Sequence, residues 1–492
     1  MKFHLKVEGV NFASCLFDTN DISVIRGSSL LLDTIAEPVA DALAKTRCKD
    51  VQREWAGAST SKFTFEADDE KAAQQALVAV KAQLLGEPYR HLSFVASIGH
   101  SDQQAEARNR AAQFRQWTVP DCAVPDSVMP DSGKPGSVKP GRAVRAATKP
   151  DALDGMRPAA PGMNDTIKGA LSPSVKARLD YGRANRRGFF EVRAPKQLLH
   201  ETEFCDSFHD MVKGAPDWVS ETVRNKLAVI HFDGDGFGKA RAKAKSTADF
   251  SDELNTWMQD VLAHLVEGAI CDGVLRLEVL VWGGDDITLV VPAWRALPCV
   301  RDFYAATQDM TLAGQSVGFT GGVIIGNYKA PIRQLTALAG DAVDRGKEAD
   351  ARRGFTIDAF ESAAPPENGL DDHRNRVFGK NDAKALSIPG QETGALIELL
   401  TRWKSGEARN LPSRSRLYDL LSRPVPVGDS RDEWIANELE RDARRRGAPA
   451  QGALPTEALP AFEGVSRGKS LEFKLAATMW DYVPTAEQEA DA

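Results

Sequence analysis

The N-terminal part of the chain alternates between apolar runs and polar breaks. Residues 1–18 carry apolar runs at Phe3 to Val7 and at Ala13 to Phe17 and read as strand. Residues 28–45, SSLLLDTIAEPVADALAK, read as a helix with Ser28 or Ser29 near its N-cap. Residues 53–67 predict a hairpin; its KFTFEA half alternates cleanly, burying either Phe63 and Phe65 or the opposite face. Asp68 to Leu85 predicts a helix with Ala72, Ala76, Val80 and Leu84 at its apolar positions, and His91 to Ile98 predicts another strand. The order is β-α-β-β-α-β, the ferredoxin-like arrangement.

The same order returns over residues 225–360. A strand to Phe232 precedes a helix from about Ser251 to Gly268. Two apolar runs, LRLEVLVW and ITLVVP, flank Gly283-Gly284-Asp285-Asp286 and predict a hairpin with carboxylates at its turn. A helix near Leu297–Leu312, a strand over Val317–Ile325 and a helix from Pro331 to Arg353 complete the repeat, so the chain holds an internal duplication.

Between and after the copies the pattern changes. Residues 119–165 hold a proline at every fifth position from Pro120 to Pro140 and predict a linker, since so little apolar surface cannot offset the entropy of ordering. Residues 166–224 predict a basic, helical connecting segment. There Lys176, Arg178, Arg183, Arg186 and Arg187 lie beside Phe189 and Phe190, either as a phosphate contact or, more plainly, as a solvated helix face with an aromatic anchor. Residues 366–492 carry amphipathic segments at Thr393–Lys404, Ser413–Ser422, Arg431–Arg446 and Leu471–Tyr482, ending in a frayed tail. The expected fold class is α+β: a first palm-like domain over 1–118, a second over 225–365, and a helical C-terminal domain.

Composition narrows the classes. The 492 residues, 42% hydrophobic and 27% charged, are those of a globular protein. A net charge of −7 argues against a dominant nucleic-acid surface. No apolar run reaches the 18 or so residues of a membrane span, and the amphipathic N-terminus does not read as a signal peptide, so a cytoplasmic location is expected. The six cysteines are scattered without a CxxC pair and predict free thiols and no zinc site.

The second copy carries the chemistry. Its first strand delivers Asp233-Gly234-Asp235-Gly236 at a bend, and its hairpin delivers Asp285 and Asp286. If the strands lie side by side, these carboxylates repel one another unless a cation sits among them. Hard oxygen ligands on a rigid hairpin suit Mg²⁺ or Mn²⁺, with two ions expected. Asp233, Asp285, Asp286 and the Gly234 carbonyl are the expected metal ligands, with the three aspartates catalytic. Gly234, Asp235, Gly236, Phe237, Gly238 and Lys239 would meet nucleotide phosphates at a turn open to close approach. Gly283 and Gly284 form the tight turn. Arg241, Lys243 and Lys245 add positive charge or form a solvated face. Lys347 could reach a β- or γ-phosphate, or pair within its helix with Asp344. The first copy reads Phe17-Asp18-Thr19-Asn20 against Phe232-Asp233-Gly234-Asp235, with no carboxylate at its turn, and predicts a silent site.

These motifs resemble a known family. HFDGDGFGK, WGGDDITLVVPA and GFTGGVIIGNYKAPIRQLTALAGDAVDRGKEA resemble the palm domain of the CRISPR polymerase family, the large subunits of type III CRISPR complexes. FDTNDISVIRGSSLLLD looks like their degenerate first palm. More distantly, the second palm is similar to GGDEF diguanylate cyclases and class III adenylyl cyclases. The resemblance implies two palms with nucleotides between them, ATP as substrate, 3′-hydroxyl attack on an α-phosphate, and cyclic oligoadenylate signals read by a downstream effector. By motif position it implies Asp233, Asp285 and Asp286 as the metal site and Lys347 as a phosphate contact.

The chain departs from the family pattern in lacking an HD nuclease segment and a four-cysteine zinc motif between the palms. That favours a stand-alone signal synthase of anti-phage defence, with a homodimer compatible. An RNA-binding subunit assembled with other CRISPR subunits, and a GGDEF-like synthase using GTP, stay open as alternatives.

Overall fold

Every second residue of the N-terminal strand faces a core, and that periodicity sets the first half of the fold. In a computed structural model of the chain, β1 (Lys2–Val10) turns Phe3, Leu5 and Val7 to one side and His4, Lys6 and Glu8 to the other. The structure describes residues 1–10, 15–57, 59–115, 149–362, 364–366, 368–379, 383–407, 411–425, 430–445 and 469–485. It divides into two compact units, Met1–Val192 with Lys245–Asp252 and Leu280–Gly283, and Arg193–Ala244 with Glu253–Val279 and Gly284–Ala492.

In the first unit the elements are β1, α1 (Ile22–Asp33), α2 (Ala36–Ala44), β2 (Lys49–Gly57), β3 (Thr60–Glu66), α3 (Glu70–Leu84), β4 (Ser93–Gly99) and α4 (Asp102–Arg115). The sheet order β2-β3-β1-β4, antiparallel throughout, is the ferredoxin-like one. Phe3 pairs with Phe65 and Leu5 with Phe63 across β1 and β3. All four bury against Val39 and Leu43 of α2 and Ala76 and Val80 of α3. Each large side chain so buried contributes about 1.5–3 kcal/mol.

The other sheet face is polar yet covered by α4. Lys62 reaches Asp102 at 2.8 Å, and Lys6 reaches Glu8 at 3.0 Å. This helix has no counterpart among the sequence expectations.

Residues 149–192 complete the same unit. Helix α5 (Pro173–Arg193) crosses α1 where both carry glycine: a Cβ on Gly27 would lie 1.8 Å from the Arg178 carbonyl, and one on Gly182 2.0 Å from that of Ser23. Arg178, fully buried, donates to both carboxylate oxygens of Asp18 at 2.9 and 2.8 Å and to the Cys15 carbonyl at 2.6 Å. Arg157 reaches Asp18 as well, at 2.6 Å.

Several expectations change here. The strand ends at Val10, and residues 15–20 are helical turn and bend, so Asp18 is an ion-pair anchor off the sheet. Helix α1 starts six residues before Ser28, capped by Asp21, whose Oδ1 accepts from the N–H groups of Ser23 and Val24. Ser28 lies within the helix, where its hydroxyl bonds back to the Val24 carbonyl. Residues 149–165 are folded, with Asp151 accepting from the Leu153 and Asp154 N–H groups. The five-residue proline spacing, Cys122, Ala58, Arg446 and the last seven residues lie outside the described residues.

Over residues 226–359 the elements are β5 (Lys226–Asp235), α6 (Phe237–Lys243), α7 (Thr247–Ala269), β6 (Glu278–Gly283), β7 (Asp286–Pro292), α8 (Ala296–Thr307), β8 (Gly318–Asn327), α9 (Ile332–Glu348) and β9 (Gly354–Ala359). After α10 (Gly369–Phe378), β10 (Ile388–Pro389) closes the sheet in the order β6-β7-β5-β8-β9-β10. The first four strands repeat the ferredoxin-like order; β9, parallel to β8, extends it beyond the expected unit.

Phe232 stacks on Phe303 of α8 at 3.7 Å on one sheet face. Helix α9 lies on the other, so close that a Cβ on Gly322 would sit 2.4 Å from the Ala339 carbonyl. Helices α11 (Thr393–Lys404), α12 (Arg414–Ser422), α13 (Arg431–Arg445) and α14 (Lys469–Met479) follow the expected spans closely. Trp403, Phe473 and Trp480 form their aromatic centre. The architecture is α+β. No helix among the described residues is long and apolar enough to cross a membrane.

Candidate active site

Strand register brings the acids together. Asp233, near the end of β5, is the cross-strand partner of Asp286, the first residue of β7. Like charges directly opposite each other destabilise a sheet, so this pairing calls for a cation. Lys347, at the end of α9, supplies one: its Nζ lies 2.7 Å from Asp233 Oδ2 and donates to the Gly234 carbonyl at 2.8 Å. Asp286 is more than half exposed and has a different neighbour, His231 Nδ1, at 3.6 Å from its Oδ1. That same nitrogen lies 2.9 Å from Thr288 Oγ1.

The turn is built from backbone constraints. Gly283 ends β6, Gly284 takes φ +76°, and Asp285 follows. A left-handed residue at the first turn position suits the twist of a two-residue hairpin and favours glycine. The Gly234 N–H donates to the Asp285 carbonyl at 2.7 Å, locking the hairpin to β5. A Cβ on Gly234 would lie 2.5 Å from the Phe237 ring and 2.8 Å from Asp285 Cβ. Gly236 begins α6 at φ +87°.

The surrounding protein raises the carboxyl pKa of Asp285 by burial first, and repulsion from Asp233 and Asp286 adds to it. Although its side chain stays more than half exposed, desolvation by the surrounding turn raises Asp286 as well, reinforced by Asp233 and opposed by His231 and Lys347. Among the described residues, no three His, Cys, Asp or Glu side chains form a metal cage. The donor set is instead two facing carboxylates and the Gly234 carbonyl. That fits Mg²⁺, which is usually held by one or two carboxylates, with waters and substrate phosphates completing its shell.

The other expected residues are placed as follows. Asp235 is buried and braces the site from within: it accepts from Thr320 Oγ1 at 2.7 Å, Arg352 Nη1 at 2.9 Å and the Arg353 N–H at 3.2 Å. Phe237 turns inward against Phe319, with ring centroids 5.2 Å apart. Gly238 and Lys239 are exposed on the first turn of α6. Lys243 bonds Gln315, and Arg345 pairs with Asp371 of α10. Arg352, His231, Thr288 and Thr320 were missed. The signal that finds His231 and Thr288 is strand alternation, since they lie two residues along their strands from Asp233 and Asp286 and therefore on the same face.

The first unit allows the two copies to be aligned by hydrogen bonding. The Gly9 N–H donates to the Ser59 carbonyl at 2.7 Å, as Gly234 does to Asp285. Glu8 pairs with Thr60 as Asp233 pairs with Asp286. Glu8-Gly9, and not Asp18-Thr19, therefore stands where Asp233-Gly234 stands, although the Phe-Asp dipeptide recurs at 17–18 and 232–233. Glu8 is held by Lys6 and by Asn109 Nδ2 of α4 at 3.2 Å.

Residues 226–356 match the family described as Cas10/Cmr2, second palm domain. No curated protein matches the chain. Among solved structures it is similar to the Csm1–Csm4 cassette in complex with cA4 (TM-score 0.50, 11% identity, 98% of this chain and 70% of that one). It is also similar to Csm1 in T. onnurineus (TM-score 0.50, 13% identity, 97% and 69%). At such identities the likeness is one of fold.

Proposed function

We propose, from the premise that residues 226–356 are a second palm domain of the Cas10/Cmr2 family, that this chain is a nucleotidyltransferase making cyclic oligoadenylate from ATP for anti-phage defence. The observation that carries the reading is the cross-strand pairing of Asp233 with Asp286 beneath the Lys347 ammonium. In the reaction a 3′-hydroxyl oxygen bonds to an α-phosphorus, the bond from that phosphorus to the bridging oxygen breaks, and pyrophosphate leaves while the hydroxyl proton passes to solvent.

Asp233, Asp286 and the Gly234 carbonyl would hold Mg²⁺ or Mn²⁺, which lowers the pKa of the attacking hydroxyl and neutralises the leaving group. Asp285 adds negative charge at the turn. Lys347 has a long stem and turns from Asp233 to a phosphate oxygen when nucleotide enters. Asp235, tied to Thr320 and Arg352, holds the strand end in place. Adenine is taken as the base from the cA4 carried by the similar cassette.

A second reading has the chain working as a subunit of an RNA-guided complex, favoured by the Csm4 partner in that cassette. It predicts that RNA and partner subunits co-purify with the chain and stay bound when the acids are replaced.

The test is purified chain with ATP and Mg²⁺ or Mn²⁺, alone and with RNA, followed by pyrophosphate release and product mass. Cyclic oligoadenylate that disappears in the Asp285→Ala, Asp286→Ala double variant supports the proposal. No pyrophosphate under any of these conditions overturns it. Competition between ATP and GTP separates it from a guanylate-specific synthase.

A further inference from the structure

The two palms differ most informatively one step below their acids. On β5 and β7 the pair beneath Asp233 and Asp286 is His231 and Thr288, cross-strand partners 2.9 Å apart at Nδ1 and Oγ1. On β1 and β3 the pair beneath Glu8 and Thr60 is Lys6 and Lys62, also cross-strand partners. The correspondence rests on the matching Gly9–Ser59 and Gly234–Asp285 hydrogen bonds. Both lysines are nearly enclosed, with side-chain exposures of 11% and 7%. Lys6 holds Glu8 directly; Lys62 is matched by Asp102.

The first palm therefore carries a fixed ammonium on the strand of its acid. In the second palm the ammonium comes from a helix: Lys347 approaches Asp233 on a stem that can swing away. The sheet beneath is left to a hydroxyl and an imidazole, whose Nδ1 lies 3.6 Å from Asp286 Oδ1.

We propose that His231 is a positioning residue for the Asp233–Asp286 cation site, steering the Asp286 carboxylate toward Asp233. In the first palm the matching place holds Lys6, and Thr60 stands where the second palm has Asp286. The positioning role of His231 rests on the reading of Asp233 and Asp286 as metal ligands. Thr288 Oγ1 holds the ring through Nδ1, and the same nitrogen faces Asp286 Oδ1 at 3.6 Å. Groups that orient metal ligands in this way are typically worth about 10–100-fold in metal affinity.

The experiment measures Mn²⁺ binding to the full chain without nucleotide, by electron paramagnetic resonance of the free ion, with thermal unfolding in parallel. Wild-type chain is expected to bind Mn²⁺. His231→Lys should lose about 10–100-fold in affinity with an unchanged unfolding temperature, and His231→Ala should lose part of it. His231→Gln, which can still bond Thr288, should stay within about threefold, far inside the range of a lost orienting group. Wild-type-like binding by His231→Lys overturns the inference; should that variant not fold, wild-type-like binding by His231→Ala does so. A wild-type chain that binds no Mn²⁺ overturns the site reading itself, and the inference with it.

Discussion

Lys347 Nζ lies 2.7 Å from Asp233 Oδ2 and 2.8 Å from the Gly234 carbonyl oxygen, the same oxygens that a divalent cation would use. An ammonium and a cation cannot share them. Lys347→Met should therefore bind Mn²⁺ more tightly than wild type in the absence of nucleotide, yet turn over ATP more slowly, by about 10-fold or more if one phosphate contact in the transition state is lost. Resonance titration and pyrophosphate release measure the two effects, and weaker Mn²⁺ binding by the variant would remove Lys347 from this role.

The raised pKa values of Asp285 and Asp286 carry a stability cost. A carboxyl whose folded pKa lies above its unfolded value favours the protonated form in the fold. Its ionisation therefore costs stability above the folded pKa, and the cost disappears as pH falls through that value toward the unfolded one, about 4. Asp285→Asn should be more stable than wild type at neutral pH in EDTA and show a flatter pH dependence. Scanning fluorimetry across pH decides it.

Gly234→Ala should be destabilised by about 1–3 kcal/mol and inactive, because its Cβ meets both the Phe237 ring and Asp285 Cβ, and the hairpin must move. Denaturant unfolding gives the first number. A stable, active Gly234→Ala chain would contradict the packing described.

Arg178→Met should cost about 3–5 kcal/mol, since it strands the carbonyl and carboxylate oxygens that a buried guanidinium now satisfies. Arg157 keeps one link to Asp18, which places the expected loss toward the lower end. Urea unfolding followed by circular dichroism would show it.

The site's acids were legible because two local signals coincided. Alternation put Asp233 at a strand end, and paired glycines put Asp285 and Asp286 at a turn. That the acids meet depends on β7 lying beside β5, a pairing of two strands that the hairpin does not join. What could not be read was long-range. The Lys347 partner is 114 residues away, while Asp344 on the same helix offered a nearer one. The Glu8 correspondence depends on a backbone hydrogen bond from Gly9 to Ser59, invisible in a string of letters. Helix α4 was missed because the face it covers is polar, with Lys6 and Lys62 facing Glu106 and Asp102. Apolar periodicity carries no trace of such packing.

The paired glycines at the α1–α5 crossing bear on the proline-rich tract between the palms. Gly27 and Gly182 belong to one compact unit, yet the tract lies between them in sequence. The described residues on either side of the tract, 1–115 and 149–192, therefore belong to one compact unit. Cutting the chain within residues 116–148 should give two fragments that stay together under native conditions. Residues 1–115 made alone would lack the helix that covers Val24 and the arginine that neutralises Asp18. The core around Val24 and the Asp18 ion pair are thus completed only when residues 171–179 have been made.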